Sequence, residues 1–237
     1  MKLILLLPVE YEKEKQSIIE QIKAWESAIK VYEEKYNKHY FNKTDLLHAW
    51  HKAFKRINVF LSSKNKIDCF IITDDLDELQ GIAFGAKRNH GSTTDLFTLF
   101  GASKIPSYHI HDILAAPWNI LSRAFKKTDD VLSDRHKKIG TSLMKLIITH
   151  AMTQNVEHIV ADIEAPYDSG PFFSKCLFNQ ITPSFGLTYQ LSNKEFAKVV
   201  NDLPINKEDT FIIKYANFNI INDHFSSLKS SVNNNNS

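Results

Sequence analysis

His111 and Asp112, adjacent in the chain, and the basic run Arg135, His136, Lys137 and Lys138 are the groups of this 237-residue sequence best suited to moving a proton and to holding an anion. An imidazole titrates near neutrality and an ionised carboxylate accepts protons, so either can serve as a general base. The basic run leads into Ile139, Gly140 and Thr141 and then into apolar positions at Leu143, Leu146, Ile147 and Ala151, which have helical spacing. A helix N-terminus presents unpaired N–H groups and a partial positive charge, and a glycine there removes the side chain where an anion approaches. Residues 135 to 141 therefore read as a phosphate or other polyanion site at a helix entrance. A solvated basic loop with a turn glycine is the other reading of the same residues.

Charge confines such a site to a local patch. With 29 Lys and Arg against 27 Asp and Glu, the formal charge of +2 offers no global attraction for nucleic acid or a membrane surface. Basic and aromatic residues do not interleave as single-strand binding requires. The second glycine and Gly-Lys-Ser/Thr ending of a phosphate-binding Walker loop, and the Gly-rich turn of a dinucleotide fold, are both missing. Cys69 and Cys176 have no metal-ligand or redox spacing, which fits a reducing compartment. The opening "MKLILLL" is too short to span a bilayer and is followed by dense charge, so it reads as a first strand and the chain as a cytoplasmic protein.

The elements that must position these groups follow from periodicity. Ile18, Ile22, Trp25, Ile29, Tyr32 and Tyr36 mark one face of a long helix, and Leu46, Trp50, Ala53 and Ile57 the stripe of a second, capped by Thr44 or Asp45. Two apolar runs around the acidic "DDLDE" predict a hairpin, and "YHIHDILAAP" a strand ended by Pro117. "WNILSRAFKKTDDVLSD" predicts a short helix and loop, "VEHIVADIEAP" a strand, "GPFFSKCLFNQI" a short helix and "GLTYQL" a strand. Ser192 and Glu195 have the spacing of a capping box before the next helix, and "DTFIIKYANF" predicts a closing strand. The expected fold is one α/β (α+β) domain over residues 1–225, a mixed, mostly antiparallel sheet flanked by helices, with a disordered Asn-rich tail at 226–237. His109 and His111 share a strand face but lack a third ligand, so no metal site is expected.

Three segments in this order resemble the GNAT superfamily of acyl-coenzyme A dependent N-acyltransferases. "HIHDILAAP" is similar to its fourth strand. "RHKKIGTSLMKLIITHA" resembles its pyrophosphate loop, Arg/Gln-x-x-Gly-x-Gly/Ala, with Arg135 first and Gly140 last. "FFSKCLF" is similar to its "FYEKLGF" helix end. The resemblance covers roughly residues 66 to 217. It implies acetyl-coenzyme A or another acyl-coenzyme A as cosubstrate, held by residues 135 to 141 and by the backbones of Ile113, Leu114 and Ala115. It implies an acceptor bearing a primary amine, on a small molecule or a protein, with Asp112 or His111 as base. Lys138 stands where the family has its first loop glycine, and Phe173 where it has the Tyr that protonates the departing thiolate. Tyr167, Cys176 or water are the remaining acids. A module that binds coenzyme A or a protein partner without turnover is the alternative these departures imply.

Overall fold

Apolar runs buried on both faces, Leu3 to Leu6, Cys69 to Ile72 and Ile82 to Phe84 among them, build one sheet. The computed structural model describes residues 1–6, 8–36, 44–62, 67–88, 106–119, 138–163, 170–182, 187–203 and 210–213. Its strands are β1 (Lys2–Leu6), β2 (Asp68–Thr73), β3 (Leu79–Arg88), β4 (Ser107–Ala115), β5 (His158–Ile163), β6 (Asn179–Thr182), β7 (Leu187–Ser192) and β8 (Thr210–Ile213). They lie in the order β6-β7-β5-β4-β3-β2-β1-β8. β4 runs parallel to β5 and β8 parallel to β1, while the other neighbours are antiparallel. The expected mixed, mostly antiparallel sheet is what the chain forms.

Helices cover both faces. On one, α1 (Pro8–Tyr36) and α2 (Thr44–Ser62) bury Ile18, Ile22, Trp25, Ile29, Trp50, Phe54 and Ile57 against Ile4, Ile71, Ile82 and Phe84 of the sheet. On the other, α3 (Ile139–Thr153) and α5 (Asn193–Asp202) bury Leu143, Ile147, Phe196 and Val199 against Leu3, Phe70, Ala83 and Ile110. Trp25 meets Trp50 and Trp118 edge-on at 6.5 and 6.3 Å, so the protein's three tryptophans join α1, α2 and the 3-10 turn Pro117–Asn119 that follows β4. Ring edges against ring faces add specific attraction to the area they bury.

Two local expectations are corrected. Ser192 occupies the N-cap of α5 but makes no side-chain capping bond. It is still the last ladder residue of β7, paired with His158, and the first helical N–H, that of Asn193, is satisfied by the Glu157 carbonyl at 2.8 Å. The short helix α4 (Gly170–Lys175) stops before "NQI", which belongs to β6. The stop is a left-handed cap: Leu177, at φ 61°, donates to the Ser174 carbonyl at 3.0 Å and Phe178 to that of Phe173 at 3.1 Å. Residues 204–209 and 214–237, including the predicted tail, lie outside the described residues.

Candidate active site

The site begins where β4 parts from β5. Their parallel ladder runs from Ser107↔His158 to Ile110↔Ala161 and stops there. Beyond it β5 continues with β7 while residues 112 to 115 of β4 pair with β3. A wedge therefore opens along His111, Asp112, Ile113, Leu114 and Ala115, whose β5-facing edge lies past the end of that ladder.

The divergence coincides with a bulge. Gly85 of β3 pairs with Ile110 and the next residue, Phe84, with Asp112, so His111 is an extra residue in β4. Such an insertion bends the strand and re-aims side chains. Strict alternation predicts that His111 and Asp112 face opposite sides; the bulge overturns that expectation. Both meet α2: the His111 ring lies 5.5 Å from that of Phe60 at an interplanar angle of 34°, and Asp112 binds Arg56. Arg56 Nε donates to Asp112 Oδ2 at 2.7 Å and Nη2 to Oδ1 at 3.0 Å, a two-pronged pair with the carboxylate only 10% exposed. Phe60 also packs on Phe84, at 5.3 Å between centroids, which fixes the platform under the imidazole.

On the other face, the entrance of α3 sits on the same end of the β3–β4 pair. Gly81, opposite Ala115, has no side chain, and a β-carbon there would collide with Ile139 and come within 3.1 Å of Leu143. The glycine lets α3 approach. Ile139 is thus a buried anchor. Lys138 is exposed at the N-cap with φ 65° and ψ 18° and makes no side-chain cap. Its backbone takes the left-handed form that glycine prefers, although the residue is lysine. A β-carbon on Gly140 would lie 3.2 Å from the Phe172 ring of α4, so the helix entrance and α4 are in close approach. Thr141, half-buried, completes the first turn, and Arg135, His136 and Lys137 lie outside the described residues, as does Tyr167.

The remaining sequence candidates fall away from the wedge or into the core. Phe173 is buried and stacks on Tyr189 at 5.7 Å, and its own ring has no hydroxyl to offer a leaving group. Cys176 is fully buried, and burial pushes its thiol up to about 12. His109 pairs with Ser107 at 2.9 Å, and among the described residues no group of three or more His, Cys, Asp and Glu is placed to hold a metal. In the acidic turn, Asp74 is a structural acceptor. Its carboxylate takes the N–H groups of Leu76 and Glu78 and the Gln80 amide, and Gln80 in turn accepts from Trp118 and Asn119, which moors the 3-10 turn beside the wedge.

Arg56 and Phe60 were missed in the sequence. Their spacing of four residues on α2 is legible as one helix face, but nothing local signals that the face meets the bulge.

No protein-family model and no curated protein matches the chain. Solved structures do. An acetyltransferase of the GNAT family from Listeria monocytogenes aligns over 79% of this chain and 94% of its own at 16% identity, with a TM-score of 0.43. A ribosomal-protein-alanine N-acetyltransferase from Brucella melitensis aligns over 62% and 78% at 17% identity, TM-score 0.33. The AtaT toxin, as a Tyr-to-Phe mutant bound to the C-terminus of the antitoxin AtaR and acetyl-coenzyme A, aligns over 61% and 84% at 11% identity, TM-score 0.41. Within the chain itself a first strand, two helices, a hairpin, β4, the α3 entrance and β5 follow one another in the order read from the sequence. Two positions where GNAT sequences carry glycine hold Lys138 and Leu177 here, and both keep a positive φ. Both backbones take the form that glycine prefers although neither residue is glycine.

Proposed function

We propose that this protein is an acyl-coenzyme A dependent N-acyltransferase that moves an acetyl or other acyl group to a primary amine of a small molecule or protein. The observation that carries the reading is the wedge between β4 and β5 with the α3 entrance on one face and His111 and Asp112 on the other. The α3 entrance, with Lys138 and Gly140, supplies backbone N–H groups and a cation for phosphates, joined by Arg135, His136 and Lys137 from the preceding segment. The backbones of Ile113, Leu114 and Ala115 offer an extended edge to the amide-bearing arm of coenzyme A, much as a sheet takes up an added strand. The thioester then reaches the face where the acceptor amine meets an imidazole and a carboxylate. Among the described residues no helix is long and apolar enough to cross a membrane. We place the activity in the cytoplasm, a reducing compartment that two buried, separate thiols suit.

Calorimetry with acetyl-coenzyme A and with free coenzyme A tests this. The wild type binds both, and Lys138→Glu and Gly140→Glu weaken both by setting a carboxylate against phosphate. Lys138→Glu is the gentler arm because the side chain is exposed, whereas any side chain at 140 also presses on Phe172. Absence of binding by the wild type would refute the reading. A second reading, binding without turnover, is favoured by one observation: buried Phe173 offers no proton to a thiolate. Release of free coenzyme A thiol with a panel of amines separates the two.

A further inference from the structure

We infer that the acceptor is an acidic stretch of polypeptide, seated along the face of α2 that carries Lys52, Lys55 and Val59 while its amine reaches into the wedge. The inference rests on the acyltransferase reading above and narrows the substrate of that site. α2 runs beside the wedge. Its Phe60 packs on His111, its Arg56 binds Asp112, and its Trp50 meets Trp25, which in turn meets Trp118 just past the end of β4. The helix therefore follows β4, in the opposite chain direction, from the bulge to the turn after the strand. Its outer face borders the place where an acceptor amine must enter.

That face is basic. From Leu46 to Ser62 the helix has Lys52, Lys55 and Arg56 and no Asp or Glu, in a chain whose cations and anions nearly balance, 29 Lys and Arg against 27 Asp and Glu. Lys52, Lys55 and Val59 are exposed and spaced by three and four residues, so they share one side of the helix over about 10 Å of its length. Lys52 also lies one turn from Arg56, on the line that leads to Phe60, which sets its charge next to the wedge. Val59 is 63% exposed, a branched apolar side chain in water at the end of the two cations. Cations with an apolar neighbour suit a peptide, which offers carboxylates and an aliphatic side chain together; in an extended chain, side chains on one side recur about every 7 Å, the scale of this face. A nucleic acid would use the charges alone, and a nearly balanced chain gives it little beyond them. A small amine would sit within the wedge and leave the face unused. Opposite charge speeds and orients the encounter, while ion pairs left at the rim add modest affinity. With the acceptor seated, the amine nitrogen bonds to the thioester carbon, the carbon–sulfur bond breaks, and the sulfur leaves with the electron pair and takes up the proton that the nitrogen loses.

The test uses three peptide pools of equal length, each with its N-terminal amine as the one primary amine: an acidic pool rich in Asp and Glu, a neutral pool with Asn and Gln in their places, and a basic pool with Arg there. Release of coenzyme A thiol from acetyl-coenzyme A is followed in the wild type and in two paired exchanges at exposed positions, Lys52→Gln with Lys55→Gln and Lys52→Glu with Lys55→Glu. The wild type is expected to favour the acidic pool over the neutral one by about tenfold in kcat/KM, through KM, and the preference shrinks as salt is raised. The Gln pair loses most of that preference, and the Glu pair turns it toward the basic pool. Equal use of the acidic and neutral pools by the wild type, a preference that survives the Glu pair, or an equal loss on all three pools in both variants overturns the inference. Turnover confined to small amines overturns it too, as does stronger inhibition by a mixed-sequence oligonucleotide than by the acidic pool. Acetyl-coenzyme A binding with no turnover of any pool also overturns it, whereas a wild type that does not bind acetyl-coenzyme A overturns the reading beneath it.

Discussion

Lys138→Gly is expected to make the protein more stable. The residue sits at φ 65° and ψ 18°, where a β-carbon crowds the following carbonyl at a cost of about 1–2 kcal/mol for an L-residue. Glycine removes that cost but gives up about 0.5–1 kcal/mol through its greater freedom in the unfolded chain. The lysine side chain is exposed, so little packing is lost. The balance is a gain of about 0.5–1 kcal/mol, which for a chain of this length raises Tm by roughly 1–4 °C. A cation at the positive end of a helix is also unfavourable, so any neutral replacement relieves some repulsion. Lys138→Ala controls for this, because it removes the charge and keeps the β-carbon. Lys138→Asn falls between the two, since asparagine tolerates the left-handed form. Thermal unfolding of the three variants reads the order directly. Lys138→Gly no more stable than Lys138→Ala would refute the strain reasoning.

Three further outcomes are expected. Gly81→Ala should cost about 1–3 kcal/mol in thermal or urea unfolding, because its methyl would drive Ile139 off the β3–β4 pair, and it should weaken acetyl-coenzyme A binding by shifting the α3 entrance. Cys176, held up to about 12 by burial from an ordinary 9.0, binds its proton more tightly folded than unfolded; its contribution is intact below pH 9 and is lost as pH rises toward 12. Cys176→Ala should accordingly flatten the loss of stability over that alkaline range. His158, its Nδ1 buried without a partner among the described residues, has its pKa lowered from 6.5 by desolvation. It therefore favours unfolding as pH falls below 6.5, and acid titration of a His158→Gln variant should show a shallower decline.

Much of this protein is written in its local pattern. The strands, the helical stripes ending in Ile57 and beginning at Leu143, and the turn residues around Asp74 follow from apolar period and turn chemistry, which act over a few residues. The helix entrance at Gly140 was legible for the same reason, since a basic run, a glycine and a helical stripe are contiguous. Which residues share a face at the site was not. One extra residue, His111, breaks the period of two, and its insertion is visible only in the pairing of Ile110 and Asp112 with consecutive residues of β3. Ser192 shows the same limit: its sequence has the form of a cap, but the Glu157 carbonyl from a distant strand end already satisfies the first N–H of α5. Arg56 is 56 residues from the carboxylate it binds, and no local signal links them. The sequence by itself determined the elements and the chemistry they carry. Only the tertiary structure, through the register of one strand on its neighbour and the packing of α2 on the bulge, decided which of those groups meet.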